Sequence, residues 1–193
     1  MGTIKATNIE PIADNGTVTL GSSGDAFTVP SGVTVNMSNA TQTGVGGKMT
    51  PAFHAYLSAN QSITNATFTK LNANTETFDT DNCYDNSTNY RFTPTSAGKY
   101  YVYSGVELAL DDYAIYSAGL SIYKNGSAYS FNQIVINTSV LFAHTPFISN
   151  VIDMNGSTDY IEIFGYLERH SSTGNRFNTN TKGSYFGAYK IIE

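Results

Sequence analysis

The alternation of apolar and polar side chains has the two-residue period of β-strands, and one predicted strand is apolar on both faces. Residues 92–110 read FTPTSAGKYYVYSGVELAL, a turn signal followed by a long strand-like run that begins at Lys99. Only Lys99 and Glu107 bring charge into that run. A strand of an antiparallel sheet with one solvated side should have a polar outer face. Because the outer face of this strand is apolar, we expect a second subunit to cover it. The run predicts an oligomer whose core strand or interface includes Tyr100, Tyr101, Val102, Tyr103 and Val106.

Strand-like segments separated by turn signals fill the chain after residue 50, and no segment has the periodicity of a helix. The dipeptide Asn125-Gly126 predicts a two-residue hairpin, because both residues accept positive φ, and Asn155-Gly156 marks another turn. This pattern predicts an all-β sandwich. Its expected strands span 52–57, 67–70, 75–78, 88–92, 99–110, 117–124, 130–136, 144–154, 160–168 and 185–192.

The segment 160–168 has a different character from 99–110. Its inward side is aliphatic, with Ile161, Ile163 and Leu167, whereas its other side is polar or amphipathic. A strand of this type belongs on a sheet with one face in water. We therefore expect segments 99–110 and 160–168 on opposite sheets.

Residues 1–49 differ from the rest of the chain. They hold short Thr/Val-rich segments (17–20, 27–29 and 33–37) separated by glycine-rich turns. Such segments are too short to bury a core alone, so we expect a β-rich or extended stem that intertwines with its own copies. A leader with little fixed structure is the alternative. The predicted boundaries are a stem and attachment segment at 1–49 and a globular head at 50–193.

Composition narrows the partners. Charged residues make up 13% of the chain, the net charge is -5, and no basic run is present, so nucleic acid is not an expected partner. The N-terminal residues lack an apolar targeting segment, and no stretch has the length of a membrane span, so we expect folding in the cytoplasm and no membrane insertion. Cys83 is the only cysteine and is expected to be a buried small side chain.

The sequence offers little catalytic chemistry. The histidines His54, His144 and His170 are far apart in the chain, and no Gly-x-Ser-x-Gly motif is present. The segment DTDNCYD begins like a calcium loop but lacks the glycine and distal glutamate of that motif. Its carboxylates are weak metal-ligand candidates. We expect a non-enzyme without cofactors, and the candidate metal ligands are Asp79, Asp81 and Asp85.

The head resembles the globular domains of complement C1q and the tumour necrosis factor superfamily. Phe92, Gly98 and Tyr100 have the spacing of the central motif of that superfamily, and Tyr84-Asp85 matches its Tyr-Asp pair. Asp159-Tyr160-Ile161 and Ser184-Tyr185-Phe186 resemble two later motifs. Val102 and Ser104 depart from the superfamily, which prefers aromatic residues there. The resemblance implies a ten-stranded jelly-roll sandwich that forms a homotrimer, with one sheet against the three-fold axis.

In such a jelly roll the loops 111–116, 137–140 and 169–183 are expected at the end far from the stem. Three copies of these polar loops around an axis would suit a host glycan or protein, whereas the alternative is that they are only solvated. The residues expected to face a receptor are Asp111, Asp112, Tyr113, Asn137, Arg169, His170, Asn175, Arg176 and Phe177.

The stem resembles, in style, the β-structured stems of phage fibres. We therefore expect a structural protein of a bacteriophage: a trimeric fibre or spike, exposed on the tail or capsid of the virion, with a head for host-surface recognition. The N-terminal segment would bind other virion proteins. The alternatives are a capsid decoration protein without receptor binding and a secreted ligand of the C1q or tumour necrosis factor type.

Overall fold

Residues with the alternation described above form strands in the computed structural model of the chain. The structure describes residues 23, 26, 28–34, 49–111, 115–136, 141–170 and 174–191. The chain divides into two units, Met1–Val45 and Gly46–Glu193. In the described part of the first unit, the Val33 amide donates to the Pro30 carbonyl across a turn at 3.3 Å. Stem segment 17–20 lies outside the described residues.

The second unit is all-β, as predicted. One turn of 3₁₀-helix, Asn180–Lys182, is the only helical element among the described residues, none of which belongs to a helix able to span a membrane. The strands are β1 Ala52–Tyr56, β2 Gln61–Ser62, β3 Thr69–Lys70, β4 Thr75–Asp79, β5 Tyr84–Asp85, β6 Arg91–Phe92, β7 Gly98–Gly105, β8 Glu107–Ala109, β9 Ile115–Lys124, β10 Ser127–Val135, β11 Ala143–His144, β12 Phe147–Met154, β13 Ile161–Arg169, β14 Arg176–Asn178 and β15 Tyr185–Lys190.

These strands form two main antiparallel sheets and one small sheet. The first sheet has the order β12-β7-β15-β1-β4. The second has the order β10-β9-β13-β6-β5, with β3 paired to β13, and the small sheet has the order β11-β8-β14-β2. Strands β7 and β13 therefore lie on different sheets, as expected. The largest fully buried side chains of the core are Tyr100, Phe53, Phe92, Phe177, Phe186, Leu71, Leu108, Leu110, Ile115, Leu120, Ile122 and Ile152.

Three predicted elements are divided or replaced in the structure, and two others, 67–70 and 88–92, are shortened to β3 and β6. The run 99–110 is divided at the buried Val106, where the chain passes from the first sheet (β7) into the small sheet (β8). The run 144–154 is divided at Pro146, which has no amide proton for a sheet. The predicted loop 169–183 contains strand β14, because Phe177 enters the core.

The hairpin at Asn125-Gly126 is confirmed. The two residues have φ values of 53° and 77°, as a turn with two left-handed residues requires. The Asn125 side chain also accepts a hydrogen bond from the Tyr160 amide at 2.9 Å and donates one to Asp159 at 2.8 Å. The hairpin that joins β9 to β10 is thus tied to the start of β13.

Candidate functional site: a tyrosine face, an apolar edge and a polar end

The predicted interface strand sends its residues to two sides. Tyr100, Val102 and Val106 are fully buried in the core of their own chain. Tyr101 and Tyr103 are half-buried on the outer face of the first sheet. Tyr100, Val102 and Val106 therefore stabilise the subunit itself. Of the five predicted interface residues, only Tyr101 and Tyr103 are placed where another subunit could cover them.

Neighbouring strands add further aromatic residues around Tyr101 and Tyr103. The ring of Tyr101 lies 5.5 Å from that of Tyr189 on β15, and the ring of Tyr103 lies 6.3 Å from that of Tyr185. With Phe147 and Ile148 of β12 they line a depression of about 470 Å³. We call this surface the tyrosine face, and it comprises Tyr101, Tyr103, Tyr185, Tyr189, His54, Tyr56 and Phe78.

The tyrosine face carries little charge at neutral pH. Burial, and then the neighbouring tyrosines, raise the pKa of Tyr103 above its usual value. Burial, and then Lys182, lower the pKa of His54, which keeps its imidazole neutral. The Tyr103 hydroxyl and the His54 Nδ1 atom are 3.2 Å apart, so the two polar atoms satisfy each other. The centre of the face is thus uncharged, as in the core of a protein interface, and Lys182 lies at its margin, 4.5 Å from the centre of the Tyr56 ring.

A second apolar surface lies where the sandwich is open between β10 and β12. Asn132 links the two strands by donating to the Phe147 carbonyl at 2.7 Å. The side chains around this link are exposed to an unusual degree for apolar residues, 61% in the case of Phe147. We call this surface the β10–β12 edge, and it comprises Ile134, Val135, Phe142 and Phe147. Phe147 also borders the depression of the tyrosine face, and Val151, which pairs with Tyr101, extends that face. The apolar residues of β10 belong to the predicted strand 130–136, but periodicity alone does not show that a strand lies at the edge of a sheet.

Polar residues from distant loops meet at the end of the sandwich opposite the start of β1. Arg176 forms an ion pair with Asp111 at 2.5 Å. Arg169 donates to the Asn175 side chain at 2.6 Å, and the exposed His170 packs edge-on against Tyr116. The structure thus brings Asp111, Arg169, His170 and Arg176 to one end, which we call the polar end. Receptor binding by these residues stays a prediction.

Two residues expected to face a receptor do not do so. Phe177 is fully buried, because β14 pairs with β8 and turns the ring into the core. Asn175 is also buried, and its amide donates to the Leu167 carbonyl and to Asn65. The prediction that Phe177 and Asn175 face a receptor was therefore wrong. Asp112, Tyr113 and Asn137 lie outside the described residues.

The acidic segment at 79–85 uses its carboxylates to hold the backbone. Asp79 accepts a hydrogen bond from the Tyr84 amide at 2.8 Å. Asp85 accepts from the Thr88 and Ser87 amides, and these bonds lower the pKa of its carboxyl well below the usual range. Asp79, Asp81 and Asp85 do not converge, and the described part of the chain contains no group of three potential metal ligands. The structure therefore does not assemble the candidate metal site.

Comparison with known proteins defines the class of fold. The structure matches the globular domain of zebrafish complement 1qA with a TM-score of 0.52 and 13% identity, over 74% of this chain and 98% of that chain. It matches murine APRIL, crystallised at pH 8.0, with a TM-score of 0.52 and 12% identity, over 72% and 98% of the two chains. No protein-family profile and no curated protein sequence matches. The chain therefore carries a jelly roll of the C1q and tumour necrosis factor type, as the sequence motifs indicated.

Proposed function

We propose that the chain is a non-enzymatic adhesion protein in which three heads surround one axis. The observation that carries this proposal is the presence of two unlike apolar surfaces on one head, the tyrosine face and the β10–β12 edge. When one patch of a molecule binds a different patch of its neighbour, the assembly closes into a ring if the rotation allows it. The similarity to C1q-type domains favours three copies.

The two surfaces suit each other chemically. The tyrosine face supplies rings with hydroxyl groups around a depression, and the edge supplies exposed phenylalanine and valine side chains. Aromatic residues are enriched at the centre of stable interfaces and charged residues are depleted there. Seating the edge of one head on the tyrosine face of the next would cover both.

In this arrangement the polar end of each head remains in solvent. The Arg176–Asp111 pair, His170 and the neighbouring loops would be displayed three times around the axis. Weak contacts made three times at once give strong overall binding. We therefore assign recognition of a host surface to the polar end.

The proposed setting is the outside of a bacteriophage particle, on its tail or capsid. The composition supports this setting, because the chain has few charged residues and begins with short Thr/Val-rich segments between glycine turns. Residues 1–49 would attach the heads to other virion proteins. The alternative is a capsid decoration protein without receptor binding. Such a protein would form the same trimer, but its polar end would have no binding function.

Two charge substitutions test the assembly. Tyr189→Glu places a carboxylate on the tyrosine face, and Val135→Asp places one on the edge, at a position that is 53% exposed on β10. Wild-type protein should have three times the 20.8 kDa mass of the chain, and each variant should be a folded monomer by light scattering and circular dichroism. An equimolar mixture of the variants keeps one intact face and one intact edge, so it should form a heterodimer and stop there.

The control is Tyr160→Glu, beside Arg91 and outside both surfaces, which should remain trimeric. A monomeric wild type contradicts the assembly, and so does a mixture that forms no heterodimer.

Recognition is tested separately at the polar end. Because Phe177 belongs to the core, replacing the whole segment 169–183 would unfold the head, so the changes must be smaller. The triple variant Asp111→Ala/His170→Ala/Arg176→Ala should keep its trimer mass and lose binding to host cells, measured with fluorescent protein on a panel of bacterial strains. Thr158→Ala, at an exposed position of the other end, is the control. Cell binding that survives the triple variant would show that the polar end is not the recognition site, whereas a wild type that binds no strain, or infectivity that survives the triple variant, favours the decoration protein.

A further inference from the structure

The outer face of the second sheet contains a trough along β9. Its floor consists of small residues, Ser117, Gly119 and Ser121, which are buried. In register with this floor, β10 contributes Phe131 and Gln133 on one side. Strand β13 contributes Phe164 and Tyr166 on the other side. Large side chains thus line both walls of a shallow channel.

Aromatic rings meet across this trough. Phe68, which precedes β3, lies with its ring 5.1 Å from that of Tyr166 and 5.4 Å from that of Phe131. The Phe131 ring lies over Gly119, where a Cβ atom would be only 2.9 Å from it. Phe68 and Phe131 nevertheless remain 38% and 46% exposed. Between them lies a depression of about 240 Å³, lined by Phe68, Phe131, Gln133 and Tyr166, which we call the aromatic pocket.

The polar atoms at the rim of the aromatic pocket are mainly acceptors. Gln133 donates one of its two side-chain N–H groups to the Ser117 hydroxyl at 2.5 Å, which leaves its carbonyl oxygen and one N–H for a ligand. Tyr166 donates its hydroxyl proton to Glu168 at 2.9 Å, so its oxygen also accepts. The rim therefore suits a ligand that donates hydrogen bonds. Glu168 and the net charge of -5 disfavour an anionic ligand.

We propose that the aromatic pocket binds one ring of a neutral saccharide. A pyranose ring presents a flat surface of C–H groups that packs on exposed aromatic rings, and its hydroxyl groups donate to acceptors at the rim. The pocket has room for a single sugar ring, with the adjoining rings of an oligosaccharide lying along the trough. This inference rests on the proposed recognition function and adds to it a saccharide site at a surface separate from the polar end.

The test uses the full-length protein and four neutral trisaccharides: maltotriose, cellotriose, N,N′,N″-triacetylchitotriose and β-1,4-galactotriose. Saturation-transfer NMR should detect binding of at least one, with a dissociation constant in the millimolar range. Phe131→Ala should weaken that binding about tenfold or more, since it removes one wall. Tyr166→Phe keeps the wall and removes the hydroxyl, which is both the acceptor at the rim and the donor to Glu168, so it should weaken binding about threefold while the protein still folds. Tyr129→Ala, which removes an exposed ring of β10 outside the pocket, is the matched control and should change binding less than twofold.

Several results would overturn the saccharide pocket. They are the absence of saturation transfer from all four trisaccharides, equal affinity in wild type, Phe131→Ala and Tyr166→Phe, and loss of the trimer mass in Phe131→Ala, which would place the pocket in a subunit interface. Host-cell binding of wild type and of the polar-end triple variant is measured in parallel. Saccharide binding that fails while the polar end still binds cells refutes only the pocket, whereas a monomeric wild type refutes only the proposed assembly.

Discussion

The ring of Tyr103 lies directly over Gly187 on the adjacent strand. A Cβ atom at position 187 would be 2.4 Å from the Cζ and Oη atoms of that ring, closer than any side chain can approach. Gly187 is paired with Tyr103 across β15 and β7, and with His54 across β15 and β1. The glycine therefore allows Tyr103 to lie flat and to reach the His54 imidazole in the centre of the tyrosine face.

This relationship predicts a coupled effect of two substitutions. Gly187→Ala should destabilise the protein by about 1–3 kcal/mol, because the added methyl group displaces the Tyr103 ring. In a Tyr103→Ala background the same change should cost less than about 0.5 kcal/mol, since the ring is gone. Urea unfolding at fixed protomer concentration measures the four proteins of the cycle. An equal cost in both backgrounds would show that Tyr103 does not constrain position 187.

Phe177 should behave as a core residue and not as a recognition residue. Phe177→Ala should lower the free energy of unfolding by about 3–5 kcal/mol, because it leaves a cavity beside Leu108 and Gly165. His170→Ala, at the exposed end of β13, is the control and should change stability by less than about 0.5 kcal/mol. A Phe177→Ala protein with wild-type stability and lost cell binding would restore the ring to the recognition surface.

Asp85 should stabilise its loop by its charge and without a metal. Asp85→Asn keeps the shape but weakens the bonds from the Ser87 and Thr88 amides, so the loss should be about 1–2 kcal/mol at pH 7. The pKa of Asp85 is lower in the folded protein than the ordinary value of 3.8. The contribution of the Asp85 carboxylate to stability is therefore complete above pH 3.8 and is lost as the pH falls below it. Wild type should show this loss, whereas Asp85→Asn should not.

Thermal unfolding between pH 2.5 and 7 measures the contribution of Asp85. Asp153→Asn is the control, since the Asp153 side chain is 82% exposed, and it should change stability by less than about 0.5 kcal/mol. Calcium and chelator should leave the melting temperature unchanged. A rise with calcium that Asp85→Asn abolishes would instead establish a metal site.

His54 should make stability sensitive to mild acid. Its pKa is lowered in the folded protein, by burial and then by Lys182, so below about pH 6.5 the unfolded chain takes up a proton more readily than the folded one. The contribution of His54 is unaffected above that pH, and stability is lost as the pH falls below it. In His54→Gln the melting temperature should fall less between pH 6.5 and pH 5.

His144→Gln is the matched comparison for His54, because burial also lowers the pKa of His144, which lies in β11 and outside the tyrosine face. If His54 lies in the interface, mild acid should lower both the stability of wild type and its trimer mass. A His54→Gln protein with the same acid sensitivity as wild type would exclude this role.

Local pattern was sufficient for much of the fold. The Asn125-Gly126 turn was predictable because it depends on the φ values of two adjacent residues. The inward placement of Ile161 and Ile163 was predictable because alternation along a strand depends only on that strand. The spacing of Phe92, Gly98 and Tyr100 likewise indicated the jelly roll that the structural neighbours show.

The candidate sites depend instead on which strands become neighbours. Phe177 looked like a loop aromatic because β14 exists only through its pairing with β8 and β2. The tyrosine face joins residues of β1, β7 and β15, and the aromatic pocket joins Phe68 to Phe131 across β9. None of these contacts can be derived from spacing along the chain.

The sequence by itself thus determined that this protein is made of strands and that one strand is apolar on both faces. It also determined that the turns of the chain lie at particular glycines. Only the tertiary structure decided which apolar side chains fill the core and which remain on the tyrosine face, the β10–β12 edge and the aromatic pocket. The physical reason is that side-chain alternation and turn preferences act between neighbours in the chain, whereas burial depends on pairing between strands that are far apart in it.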